Sequence, residues 1–432
     1  METNSVKQSP YQHKYIDKGF WTILIILMIV SIVSIFSASS QLINKAMATG
    51  AAAYQPILSH IGYLLLGAAV AYVIQFLPGW LIRFGGYLLL AVSIICLLLL
   101  YTPLAVSANG TERWLRLGPF QFQPSEFAKL SLIIVVADLL ARIKSERDRV
   151  KYFWVSLIIM GFVCLLVLPS NLSTVILIGL VTLMLMFIAR IPFKWLLGVM
   201  GVALFILIGT LFLVKLGYAE EGRILAKVIP GRATTWVSRI DNKITDIKDG
   251  KDGSTIKITD ENYQAMMAET AVARGGKTLF GVGPGNSILR DRLPLAYMDF
   301  IFAIIVEETG ILGALFLVML YMSILCRACI VTSRYADYSS LLMVMGLAIM
   351  LTLQAFISME VAVGLGPVTG QPLPLISKGG TSIVTTCVYF GIMMSVCREQ
   401  KMRKDCEQQA IEESQNMVPT LQVDDTVEMT QE

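Results

Sequence analysis

RDRLPLAYMDFIFAIIVEE, residues Arg290–Glu308, decides how this chain is read. A long polar stretch, 218–298, runs here into an apolar helix, and Asp299 stands at the join. Carboxylates in or against hydrocarbon are costly, so such an acid is a functional candidate before it is a packing residue. Asp299 sits beyond Pro294, which bars a continuous helix from beginning earlier, and is expected in or near the first turn of a span. A helix N-terminus favours the carboxylate, whereas Phe300, Ile301 and Phe302 favour the neutral acid. A simple N-cap role explains the residue equally well. Glu307 and Glu308 follow on the same helix, and its rise of ~1.5 Å per residue carries them toward mid-bilayer, where they need a polar interior, a partner or a cavity.

The rest of the chain is built for a membrane. Apolar residues make up 55% of 432 and charged residues only 15%, too few to solvate a globule of this size. Mean hydropathy is +0.68. Apolar runs recur at 20–39, 57–77, 81–102, 125–143, 153–168, 171–189, 194–216, 299–326, 339–362 and 376–396, which predicts ten transmembrane helices and an all-α polytopic fold. Lys and Arg gather at 142–151, at Arg190 and Lys194, at Arg327 and Arg334, and at 398–404. Those segments are therefore read as cytoplasmic together with both termini, and the large loop 218–298 between helices seven and eight as extracytoplasmic. Trp21, Trp80, Trp154 and Trp195 fall near the cytoplasmic span ends, where amphipathic rings belong.

The chain divides into a cytoplasmic tail, 1–19, a membrane domain, 20–397, and a C-terminal tail, 398–432. Residues 405–432 hold eight acids and no Lys or Arg, which predicts disorder. The first span is too long for a signal-peptide core and is read as retained. None of the seven cysteines lies in an outward loop, so no extracytoplasmic disulfide framework is available. Cys326-x-x-Cys329 has no second pair, and the chain has only two histidines, His13 and His60, which leaves it a poor metal or redox motif.

Four outward clusters carry chemistry. In RWLRLGPFQFQPSEFAKL, Arg113 and Arg116 precede a helix starting at Pro124, with Glu126 and Lys129 three apart on one face; these pair structurally or present their charges to a phosphate. In GGKTLFGVGPGNS the glycines lack the strand that a nucleotide loop needs and read instead as a backbone turn. Just before it, ENYQAMMAETAVARGG forms either a helix on the membrane surface or a solvated loop. The third cluster is the opening segment, with Asp291 eight residues before Asp299. The fourth, GLGPVTGQPLPLISKGGTS, breaks the helix with Pro and Gly, which membranes tolerate only under protein or against a watery cavity. There Lys378, Thr381 and Ser382 offer a cation and hydroxyls to an anion, unless Lys378 merely snorkels to the surface.

Taken together these motifs resemble the SEDS family, the polytopic peptidoglycan polymerases of shape, elongation, division and sporulation typified by FtsW and RodA. The matching positions are Arg113, Trp114, Gln123 to Glu126 and Lys129; then Leu293, Pro294, Asp299 to Ala303, Glu307, Glu308 and Gly310; then Pro367 to Gly370, Pro372 to Pro374 and Ile376 to Ser382. The GPGNS run is closer to the division type than to the elongation type. Leu295, Asn171 and Lys378 depart from the common pattern, where an acid, an Asp and a Tyr are usual.

The resemblance implies a glycosyltransferase of the bacterial cytoplasmic membrane that polymerises lipid II, the undecaprenyl-diphosphate disaccharide peptide, on the outer face. It implies a class B penicillin-binding protein and other divisome membrane proteins as partners, and no nucleic acid. Asp299 becomes the catalytic residue, and Arg113, Glu126, Lys129, Asp291, Ser377, Lys378, Thr381 and Ser382 the substrate-binding set. No organic cofactor is implied; a divalent cation, Mg or Mn, is a candidate without assigned ligands. An elongation polymerase and a lipid II flippase are the alternatives, the second drawing on Glu307 and Glu308 at depth.

Overall fold

The computed structural model describes residues 15–48, 50, 52–103, 105–108, 111–117, 120–219, 263–293, 295–333, 337–366, 368 and 370–427. The charged runs DNKITDIKDGKDGS, Pro294, Pro367, Thr369, Arg334 and His13 lie outside them.

Ten long helices occupy the ten expected runs: α1 (Lys18–Ala38), α3 (Gln55–Ile74), α4 (Gly79–Leu99), α5 (Pro124–Ala141), α6 (Glu146–Val167), α7 (Leu172–Ile188), α8 (Phe193–Ala219), α10 (Ile301–Thr332), α11 (Tyr338–Ala362) and α12 (Gly380–Val427). Seven are long and apolar enough to cross a membrane by length and composition, and the described parts of α7 and α8 are shorter apolar helices. Two short helices, α2 (Ser40–Ala48) and α9 (Tyr263–Gly275), and a single 3-10 turn, Leu289–Asp291, complete the helices of the described residues. Starts follow sequence: Asp17 caps α1 by accepting from the Phe20 amide, Ser145 caps α6, Asn171 caps α7 and Asp337 caps α11. Proline opens α5.

One element was not expected. A three-stranded antiparallel sheet, β1 (Ala105–Ala108), β2 (Thr111–Leu117) and β3 (Phe120–Phe122), in the order β1-β2-β3, joins α4 to α5. Alternation along β2 separates the two arginines of the first motif. Arg113 shares a face with buried Leu115 and is half-buried, while Arg116 is exposed on the other.

The helices differ in what surrounds them. α5 is buried along nearly its whole length, α11 along most of it, whereas α3 and α4 turn rows of large apolar side chains outward. A helix apolar on all sides and enclosed by others forms the core of a bundle in lipid. The centre is thus α5 and α11, with α12 packed on α3.

Among the described residues, α12 continues into the C-terminal tail as far as Val427. One expectation is corrected. The span expected at 299–326 is two helices: α10 breaks at Gly310, whose φ is +67°. Ile301 to Glu308 is buried in protein, and outward-facing apolar residues begin with Ile311 and Leu312. The broken ladder is repaired from the glycine-rich loop. Val282 and Gly283 donate to the Glu307 and Glu308 carbonyls at 3.0 and 2.9 Å, and Ile311 and Leu312 donate to the Thr278 and Leu279 carbonyls at 3.3 and 3.2 Å. Gly281, at φ +67°, lies against Gly310, and a Cβ on either would stand 2.6 Å or less from the other's backbone. The turn expected of these glycines is therefore present, and its use is to seal a helix break.

α9 is packed into protein. It lies across the first half of α10, with Ala268, Ala271 and Gly275 buried, and a Cβ on Gly275 would fall 2.0 Å from the Val306 carbonyl oxygen. Glu307 and Glu308 are consequently not at mid-bilayer. Glu307 accepts from Arg274 of α9 at 3.1 Å and from Ser287, and Glu308 accepts from Ser37, in the last turn of α1. The other end of α1 lies against Arg327, low on α10, through Asp17. The two glutamates therefore sit at the end of the bundle that also carries Asp299.

Candidate active site at the Asp299 turn

Asp299 lies in a turn, 295–299, two residues before α10, with Phe300 in the capping position. It is half-buried, and it is not the helix cap. Leu295 opens the turn at φ +54°, a left-handed conformation rare for a branched side chain. The turn is held from behind by the loop that precedes α12. Ser377 Oγ donates to the Met298 carbonyl at 2.5 Å, and the Lys378 amide donates to the Tyr297 carbonyl at 3.0 Å. Both residues next to Asp299 on its N-terminal side are fixed by residues singled out from sequence.

Gly370, at φ +64°, brings in the cation. A Cβ there would stand 2.9 Å from Arg113 Nη1 and 3.8 Å from Asp299 Oδ2, so the guanidinium of β2 and the carboxylate of the turn converge on one bare stretch of backbone. Arg113 is braced by its Nε, which donates to the Ser170 carbonyl at 2.9 Å. Next to it, Gln371 donates to Thr174 Oγ1 at 2.7 Å, and Asn171 accepts from the Thr174 amide.

Lys378 Nζ lies 6.0 Å from the centre of the Tyr297 ring. No carboxylate is in salt-bridge contact with it among the described residues. Burial holds its ammonium below the usual lysine range and pushes the Tyr297 hydroxyl up. A half-buried cation of this kind gains from an arriving anion more than an exposed lysine does.

Other expected contacts lie elsewhere. Glu126 and Lys129 form a buried pair at 2.8 Å, and Lys129 Nζ also donates to Gln354 Oε1 at 2.8 Å. Gln354 in turn donates to the Pro372 carbonyl at 3.1 Å, so the pair props the loop. Asp291 is exposed and takes a hydrogen bond from Ser40 Oγ, with Gln41 of α2 donating to its carbonyl, which makes it a tether for α2. Ser377 is buried and structural. Thr381 touches the Gln121 carbonyl at 3.4 Å, and Ser382 is buried at the start of α12. Gln354, Tyr297 and Gly370 were not singled out as site residues, and only Gly370 had a signal, as a glycine in a proline-rich break.

These features define a polytopic membrane protein in which a carboxylate and a guanidinium meet at one bare glycine, beside a proline- and glycine-rich loop whose open backbone groups are taken up by protein. The chain belongs to the FtsW/RodA/SpoVE cell cycle protein family, whose profile matches residues 17–402. It is 33% identical over 353 residues to a probable peptidoglycan glycosyltransferase FtsW of Saccharophagus degradans, covering 79% of this chain and 82% of that one. It is 28% identical over 410 residues to the peptidoglycan glycosyltransferase MrdB of Escherichia coli K12, covering 93% and 99%. Among solved structures, it superposes on a chain of a peptidoglycan synthase complex with a TM-score of 0.67 at 23% identity, covering 89% of this chain and 98% of that one. The rod shape determining protein RodA of Thermus thermophilus gives 0.60 at 23% identity, covering 89% and 97%.

Proposed function

We propose that this chain polymerises lipid II into glycan strands during cell division, with Asp299 as the base. The observation that carries this reading is the convergence of Asp299 and Arg113 on Gly370. Asp299 takes the proton from the 4-hydroxyl of the acceptor sugar, and the oxygen attacks the anomeric carbon that bears the lipid diphosphate. The bond to the diphosphate breaks and its negative charge leaves with the lipid. One displacement inverts the anomeric centre, and no covalent nucleophile is needed. Arg113 and Lys378 meet the charge that grows on the leaving group.

The orientation follows from the basic segments: both termini are cytoplasmic, and the Asp299 end faces outward in the bacterial cytoplasmic membrane. A class B penicillin-binding protein is the crosslinking partner, alongside other divisome proteins. Among the described residues no three His, Cys, Asp or Glu side chains cluster to hold a metal ion. No step is routed through a divalent cation. The transport alternative drew on acids at depth, and the packing of Glu307 and Glu308 against Arg274, Ser287 and Ser37 removes that support.

The test is polymerisation of labelled lipid II in detergent by the protein with its partner. Wild type should form polymer and Asp299→Ala should form none. Polymer of normal length from Asp299→Ala would overturn the catalytic role.

A further inference from the structure

Besides the Gln354 and Gln371 contacts, the loop before α12 is pinned at three further points. Tyr321 donates to the Pro374 carbonyl, Ser377 and Lys378 bind the Asp299 turn, and Ser31 Oγ of α1 donates to the Leu375 carbonyl at 2.7 Å. Leu375 is the strained residue of the set, at φ +67° in the left-handed region. Such backbone persists only where its surroundings over-determine it.

Ser31 has a second partner, His60 Nε2 of α3, at 2.8 Å. A hydroxyl carries one proton, and a carbonyl none. Two bare oxygens 2.7 Å apart would repel, so the Ser31 proton points at Leu375. The proton between Ser31 and His60 must then be the histidine's own, on Nε2. Nδ1 is left as a bare lone pair, buried, with no hydrogen-bond partner among the described residues. Ser31 and His60 are both buried, at 0% and 1% exposure, so solvent does not supply the missing proton.

We propose that His60 is a positioning residue for the polymerase reaction, locked as the neutral Nε2–H tautomer, that orients Ser31 to hold the Leu375 carbonyl and so fixes the loop bearing Ser377 and Lys378 against the Asp299 turn. The proposal rests on the assignment of Asp299 above. With the histidine donor gone, the Ser31 hydroxyl can rotate away from Leu375, and the strained carbonyl loses its clamp. A second proton on the ring, at Nδ1, would meet no acceptor among the described residues.

Full-length protein with its partner carries the test. Ser31→Ala and His60→Leu should each lower kcat about tenfold while KM stays within about twofold, and the double variant should lose no more than either alone. His60→Gln, which keeps an N–H near the Nε2 position, should recover to within about threefold of wild type. Two readings are independent of activity. Nitrogen-15 spectra of histidine-labelled protein, assigned with His13→Gln, should show the Nε2–H tautomer, and amide exchange over 373–378 should quicken in Ser31→Ala. An Nδ1–H tautomer, unchanged exchange, or wild-type turnover by His60→Leu would each overturn the proposal. Should Asp299→Ala retain polymerisation, the reading of Asp299 fails, while tautomer and exchange still decide the role of His60.

Discussion

Gly370→Ala is the sharpest probe of the site, because it adds one methyl group between the two charges on which the mechanism depends. The new Cβ would stand 2.9 Å from Arg113 Nη1 and 3.8 Å from Asp299 Oδ2. Arg113 cannot simply swing aside, since its Nε is bound to the Ser170 carbonyl at 2.9 Å. Either that bond breaks or the loop shifts; in both cases the guanidinium leaves its place beside the carboxylate. Removing a preorganised donor outright costs about 10²–10³ in rate, so a displaced Arg113 should cost roughly ten- to a hundredfold in kcat. The left-handed backbone at φ +64° adds ~1–2 kcal/mol of strain to the folded state. Gly50→Ala separates the two effects: φ there is +76°, and nothing lies within 4 Å of its Cβ. The assay is lipid II polymerisation by gel, with thermal melting of each variant in the same detergent. Gly50→Ala should melt lower and polymerise normally, and Gly370→Ala should melt lower and polymerise poorly. If Gly370→Ala turns over within about twofold of wild type, Arg113 is not in the reaction and the electrostatic argument fails.

Other outcomes follow from the same geometry. Lys129→Met strands Glu126 in the core and should cost about 3–5 kcal/mol in melting experiments, most of it recovered when Glu126→Gln is added; equal losses in single and double variants would contradict a buried pair. Because burial holds Lys378 below the usual lysine range, the alkaline fall in rate should begin below that range and move to higher pH in Lys378→Arg, as a pH profile of kcat/KM would read. At the opposite end of the bundle, burial alone would raise the Asp17 carboxyl, but hydrogen bonds from Arg327 and the Phe20 amide and the charge of Lys401 hold it below the usual range. Its stabilising contribution is thus complete above the ordinary carboxylate pKa and is lost as pH falls through the lower folded value. Asp17→Asn should melt lower at neutral pH and converge on wild type in acid; parallel curves at all pH values would count against the pairing with Arg327.

Spans were legible because hydrocarbon leaves no alternative: a long apolar run must close its own hydrogen bonds as a helix. All ten runs are helices for that reason, and Asp299 stood out because an acid at their edge has few structural excuses. What hydropathy did not carry is depth. Glu307 and Glu308 read as mid-membrane only if α10 is continuous, and the break at Gly310 depends on Thr278, Leu279, Val282 and Gly283, some thirty residues earlier, reaching over to take up its open backbone groups. Periodicity within one helix has no access to such a partner. The same holds for Glu126 and Lys129, whose spacing announced an ion pair but whose second acceptor, Gln354, comes from another span.

That difference changes how the site is understood. The charges that sequence gathered into a single substrate-binding set divide by burial into two groups with different work. Arg113 and Lys378 are half-buried, whereas Glu126, Lys129, Gln354 and Ser377 are enclosed and act on the backbone of one loop. Braces on that loop come from different helices: α11 through Gln354, α10 through Tyr321, α7 through Thr174 and α1 through Ser31. A relative shift of any of these helices therefore moves Lys378 and the Asp299 turn together, because the Lys378 amide is bonded to the Tyr297 carbonyl. Asp299 and Lys378 are coupled through backbone rather than through a salt bridge, so substitutions of the braces should lower turnover while leaving the charges of the site intact.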